Sequence, residues 1–124
     1  MKNALTRLFV ASVILAGLPG PAAAQYAIVE IEKVQIVKSL SGVVSDTSGA
    51  PIPGATVAEV SSDLKTVIRS TVTDANGVFT LPPLHKGKVH HLTVSMKNFN
   101  PLVVHVKVSR WSSKLLDLKL HVAT

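Results

Sequence analysis

The side chains in this 124-residue chain that could do chemistry are five histidines, seven carboxylates and a single tryptophan, and there is no cysteine. The missing cysteine excludes a disulfide scaffold, a zinc–thiolate centre, a thiol nucleophile and a cysteine-borne lipid anchor. An enzyme would need a nucleophile with its base and orienting partner, or a metal triad. His90 and His91 are adjacent on an expected strand, so they project to opposite faces and do not converge on one metal. His105 is more informative. If 109–113 make the loop between the last two strands, facing positions sum to about 222, which sets His105 opposite Asp117 on the wet face. A carboxylate-oriented imidazole can serve catalysis or support a metal ligand, whereas a solvated cross-strand pair does neither. The other candidates are aromatic. Trp111 lies beside Arg110 in the polar loop Ser109-Arg110-Trp111-Ser112-Ser113, and Tyr26 lies near the start of the folded part, while Phe79 and Phe99 are assigned to the core. Exposed rings of this kind stack on sugars, and loops on a rigid scaffold carry recognition. The competing reading folds Trp111 back over the end of the domain.

The elements that position these residues are strands. From Tyr26 onward apolar residues recur at every second position and are mostly β-branched. Leu116, Leu118, Leu120 and Val122 share one face, with Asp117, Lys119 and His121 on the other. Leu102, Val104, Val106 and Val108 are likewise opposed to Val103, His105, Lys107 and Ser109. One dry and one wet face per strand suits antiparallel sheets packed as a sandwich. Turn clusters place strands near 27–37, 39–46, 55–61, 66–74, 77–82, 88–96, 102–109 and 114–122. In the first of these, Val29 and Ile31 share one parity and Val34 and Ile36 the other, which predicts a bulge near Glu32-Lys33.

Residues 1–24 read as a secretion signal: Lys2 and Arg7, an apolar run from Leu8 to Leu18, then Pro19-Gly20-Pro21 before Ala22-Ala23-Ala24. The run is about half of the roughly 20 residues that cross a bilayer, so a cleavable helix is expected rather than an anchor, with cleavage after Ala24. The expected destination is extracytoplasmic, periplasm or medium, with no membrane span after cleavage. Without Lys2 and Arg7 the charge is 11 − 7 = +4, with the bases spread along the chain. Nucleic-acid binders concentrate theirs, so no nucleic-acid partner is expected.

Two stretches are more specific. In Gly42-Val43-Val44-Ser45-Asp46-Thr47-Ser48-Gly49-Ala50-Pro51-Ile52-Pro53-Gly54-Ala55-Thr56-Val57, Asp46 can close an Asx turn and Gly49 can supply a positive φ. Pro51 and Pro53 hold the link extended, so that Ile52 plugs the sandwich end. In Thr73-Asp74-Ala75-Asn76-Gly77-Val78-Phe79-Thr80-Leu81, Asn76-Gly77 suits a tight hairpin that turns Phe79 and Leu81 inward. Asp46, Gly49, Pro51, Pro53, Gly54, Asp74, Asn76 and Gly77 are therefore read as turn builders, and the acidic residues are too scattered for a calcium cage. Together the stretches resemble the carboxypeptidase regulatory-like family, whose pattern runs G-x-V-x-D-x-x-G-x-P-I/L-x-G-A-x-V and then T-D-x-x-G-x-F-x-L. The match covers about Leu40 to Val122; Asn98 stands where the family has glycine, a position asparagine tolerates.

The resemblance implies an all-β, seven-stranded, antiparallel Greek-key sandwich of the transthyretin-like type over 39–124, with 25–38 as an extension or extra edge strand. It also implies a non-catalytic accessory module, as found on secreted peptidases, carbohydrate-active enzymes and TonB-dependent outer-membrane receptors. Hydroxyisourate hydrolases of similar architecture end in Tyr-Arg-Gly-Ser, whereas this chain has His121-Val122-Ala123-Thr124. Isopeptide-linked pilus sandwiches need an asparagine on the last strand, and there is none here. The expected role is a binding module without cofactor or metal, contacting a polysaccharide or an extracytoplasmic protein through Trp111, Arg110 and Tyr26. Strand addition through 26–37 is the alternative, and a small hydrolase or metal enzyme using His105 and Asp117 the third reading.

Overall fold

The computed structural model describes residues 6–11, 26–82 and 88–123. In chain order the strands are β1 (Thr6–Ala11), β2 (Tyr26–Val37), β3 (Leu40–Asp46), β4 (Thr56–Val60), β5 (Val67–Val72), β6 (Val78–Leu81), β7 (Val89–Ser95), β8 (Leu102–Val108) and β9 (Leu116–Leu120). One sheet has the order β1-β2-β8-β7-β4-β5 and the other β6-β3-β9. Strands β3 to β9 supply the seven expected from the sequence. The two sheets pack face to face around Leu40, Val44, Phe79, Leu92, Val104, Leu118 and their neighbours. The inward residues of β9 are buried and Asp117 and Lys119 are exposed, as the alternation requires.

Two features differ from the antiparallel expectation. Strand β2 runs parallel to β8, and β3 runs parallel to β9. Alternating residues report a dry and a wet face but carry no information on the direction of the neighbouring strand. The signal helix expected over 1–24 lies mostly outside the described residues. Its Thr6–Ala11 portion is a strand, antiparallel to β2. The edge of β2 offers unpaired N–H and C=O groups, and an apolar segment beside it satisfies its own backbone by joining the ladder.

The bulge in β2 falls where expected, with a different result. Ile31 pairs with Val104 and Gln35 with Val106, so four steps along β2 match two along β8. Two extra residues preserve parity: Gln35 and Val37 follow Val29 and Ile31 inward, and Ile36 remains outside at 44% exposure.

The turn chemistry is local and explicit. Asp46 Oδ1 accepts hydrogen bonds from the N–H groups of Ser48 (2.9 Å) and Ala50 (3.0 Å) and from the Ser48 hydroxyl (2.6 Å). The Ser48 hydroxyl is the main cause that holds the Asp46 carboxyl below its usual range. Gly49 sits at φ 91° and Asn98 at φ 76°, both left-handed. Ile52 is buried at the sandwich end. The Asn76-Gly77 turn is not the expected hairpin, because β5 and β6 belong to different sheets and the turn is the corner that joins them. Asp74 builds that corner by accepting the N–H groups of Asn76 (2.8 Å) and Val78 (2.9 Å). Asp74→Ala is therefore expected to cost about 1 kcal/mol, read as a shifted denaturant midpoint with unchanged slope.

Candidate functional site

Among the described residues, three places hold side chains that could do chemistry. The first is the loop after β8. Ser109 N–H donates to Val37 O (2.8 Å) and Lys38 N–H to Lys114 O (2.9 Å), so both ends of the loop are strapped to the end of β2. The Ser112 hydroxyl adds a bond to Ile36 O (3.2 Å). On this held backbone Trp111 is 84% exposed, and the Arg110 guanidinium lies 5.0 Å from the centre of its ring. The folded-back alternative for Trp111 is thus not what the structure shows. Beside the loop a cleft of about 290 Å³ opens between the sheets, with Ile31, Val104, Leu116 and Leu118 as its apolar walls and Gln35, Lys114 and Asp117 among its polar lining. The side chain of Tyr26 lies outside the described residues.

The second place corrects the expected pairing of His105 with Asp117. Strands β8 and β9 do not form a hairpin: β8 lies between β2 and β7 in one sheet, and β9 pairs with β3 in the other. Asp117 stands opposite Val43 and is exposed on the smaller sheet. His105 is held instead on the outer face of the larger sheet. Its Nε2 lies 2.8 Å from Glu30 Oε2 on β2, and its Nδ1 lies 2.7 Å from Nδ1 of His91 on β7. The two rings meet edge to face, with centroids 4.9 Å apart and planes 82° apart. Burial, and then the proximity of His105, hold the His91 ring below the ordinary histidine range.

The third place was not found by sequence reasoning. His90, across the sheet from His91 as expected, points inward and is buried. Its Nδ1 lies 2.6 Å from Glu59 Oε2, and Arg69 Nε lies 2.8 Å from Glu59 Oε1. The Glu59 side chain is 8% exposed, so this is a charged cluster inside the sandwich. Burial alone would raise the Glu59 carboxyl, but hydrogen bonds and charge from His90 and Arg69 outweigh it and leave the group below its usual range. Arg69 Nη2 is buried without a hydrogen-bond partner. The available signal was Glu59 itself, a charged residue on the same parity as buried Val57.

Among the described residues no three histidine, cysteine or carboxylate side chains converge on one point. Among them, too, no helix is long and apolar enough to cross a membrane. A two-sheet sandwich whose motif residues are turns and core, and whose most exposed large hydrophobic side chain among the described residues is a loop tryptophan, defines a β-sandwich module. The family model of the carboxypeptidase regulatory-like domain matches residues 39–121, and the chain belongs to that family. Domains of this family are regulatory, non-catalytic modules. A search of curated proteins returns no match.

Proposed function

We propose that the protein is an extracytoplasmic, non-catalytic binding module, exported by residues 1–24 with cleavage after Ala24, that recognises a polysaccharide through the loop carrying Trp111 and Arg110. The supporting observation is Trp111 at 84% exposure on a loop tied by backbone hydrogen bonds to β2. A large flat ring that is already ordered gains contact area with little loss of freedom on binding. The cleft beside it supplies apolar walls and the carboxylate and ammonium groups of Asp117 and Lys114 for hydroxyl groups.

A thermal-shift and Trp-fluorescence screen against soluble polysaccharides and peptidoglycan fragments tests the reading. A ligand at about 100 times its dissociation constant adds roughly 2.7 kcal/mol. Trp111→Ala is expected to abolish the shift while leaving the unliganded midpoint unchanged, because the ring is not part of the core. A saccharide shift that survives Trp111→Ala places recognition elsewhere.

Strand addition is the second reading; because β2 (26–37) lies between β1 and β8, the open edge that supports it is β5 of the larger sheet. On β5, Ile68 is 52% and Val72 58% exposed, and Arg69, its one charged side chain, turns inward to Glu59. Edges normally carry charges, proline or a bulge that discourages pairing. Ile68→Lys is expected to abolish capture of a partner protein under this reading and to leave polysaccharide binding untouched.

A further inference from the structure

The cluster on the outer face of the larger sheet has a geometry that neither the family match nor the binding-loop reading uses. His91 and His105 are directly opposite each other on β7 and β8. Their Nδ1 atoms face each other at 2.7 Å, and the far nitrogen of His105 is occupied by Glu30 at 2.8 Å. A carboxylate only accepts, so the Glu30 contact places a hydrogen on His105 Nε2, and whenever that ring carries a single hydrogen its Nδ1 lone pair is turned toward His91. This is the order of groups found where a carboxylate orients a metal-bound histidine. Two imidazole nitrogens bound at right angles, with bonds of about 2.0 Å, stand about 2.8 Å apart, close to the separation seen here.

We propose that His91 Nδ1 and His105 Nδ1 form a two-nitrogen site for a divalent transition metal of the imidazole-preferring kind, with Cu²⁺ bound most tightly and Glu30 as the residue that positions His105. The side chains of His105 and Glu30 are 18% and 21% exposed, so the site reaches solvent, and water or a ligand completes the coordination. When both rings are neutral and the hydrogen of His105 is on Nε2, the short contact is made by a hydrogen on His91 Nδ1. On metal binding that hydrogen passes through water to Nε2 of the same ring, which stays neutral, so no net proton is released. Imidazole donors prefer Cu²⁺, Ni²⁺ and Zn²⁺, with Cu²⁺ strongest, whereas Ca²⁺ and Mg²⁺ require oxygen.

The test titrates the purified protein with Cu²⁺, Ni²⁺, Zn²⁺, Ca²⁺ and Mg²⁺ separately, following calorimetry and the electron paramagnetic resonance of Cu²⁺. The expected result is one saturable equivalent of Cu²⁺ with two nitrogen couplings, and no binding of Ca²⁺ or Mg²⁺. His91→Gln and His105→Gln should each weaken Cu²⁺ at least tenfold, and Glu30→Gln by about tenfold through loss of orientation. His121→Gln, at an exposed histidine just after β9 of the smaller sheet, should leave it unchanged. Paramagnetic broadening of the His91 and His105 ring resonances in the unaltered protein reads the same site without any substitution. Absence of a saturable equivalent, affinity unchanged in both histidine variants, or broadening centred on His121 overturns the proposal.

Discussion

Glu59→Ala is expected to destabilise the protein by about 3–5 kcal/mol, because it removes the carboxylate that both Arg69 Nε and His90 Nδ1 contact inside the sandwich. For a domain of this size that lowers the melting temperature by about 12 °C or more. The penalty comes from the Arg69 charge left without its carboxylate in a site where its side chain is only 18% exposed and one of its nitrogens already lacks a partner. Glu59→Gln keeps the shape and one acceptor, so it should fall between the two, and it makes a second effect visible. In the folded chain the Glu59 carboxyl titrates below its ordinary value of 4.5. Its stabilisation is therefore complete above that value and is lost as pH falls through the lower, folded one. The unaltered protein should lose stability over this acid range more steeply than Glu59→Gln. Parallel acid unfolding curves for the two would show that the buried cluster is not the linked group.

Gly42→Ala is expected to be as damaging as a large core truncation, at about 3 kcal/mol or more, or to prevent folding. Gly42 is the residue of β3 that lies between Phe79 on β6 and Leu116 on β9. A methyl group built there would come within 2.7 Å of Leu116 Cβ and 2.8 Å of its carbonyl carbon, on a rigid strand that cannot yield like a flexible side-chain tip. Relief requires β9 to move away from β3, which breaks the ladder that closes the smaller sheet. Chemical denaturation measures the loss, and an unaltered midpoint would mean that β9 is not docked as described. Gly49→Ala makes a useful contrast: open space surrounds its Cβ position, so only the cost of its left-handed backbone remains.

The legible and illegible parts of this fold separate along physical lines. The strand from Leu116 to Leu120 is readable because each leucine is buried and each charged neighbour exposed, a pattern that water imposes on a half-buried strand. The turns at Asp46 and Asp74 are readable because their chemistry is confined to residues two to four positions away. The pairing of His105 was not, because it depends on β8 and β9 lying in different sheets, and no local signal marks a chain that crosses between layers. Glu30 reaches His105 from 75 positions away, through a parallel pairing that alternation does not encode. The bulge in β2 was placed correctly from the change in apolar parity, but Val34 and Ile36 were not brought inward by it. The inward position instead went to Gln35, whose amide donates to Lys33 O within the bulge (2.9 Å).

The parallel pairing of β3 with β9 also sets when the domain can form. Gly42 and Leu116 are partners across 116 − 42 = 74 positions, and β3 is the central strand of its sheet. Until the last strand is available, one edge of β3 is open, and the core lacks Leu116, Leu118 and Leu120. Contacts of such long sequence separation form late and slow the search for the native state. A chain emerging from its N-terminus, whether from the ribosome or through a membrane pore, therefore stays unfolded through most of its passage and folds only once nearly all of it is through. Threading as an extended polymer is thus built into the order of strands, independently of any leader.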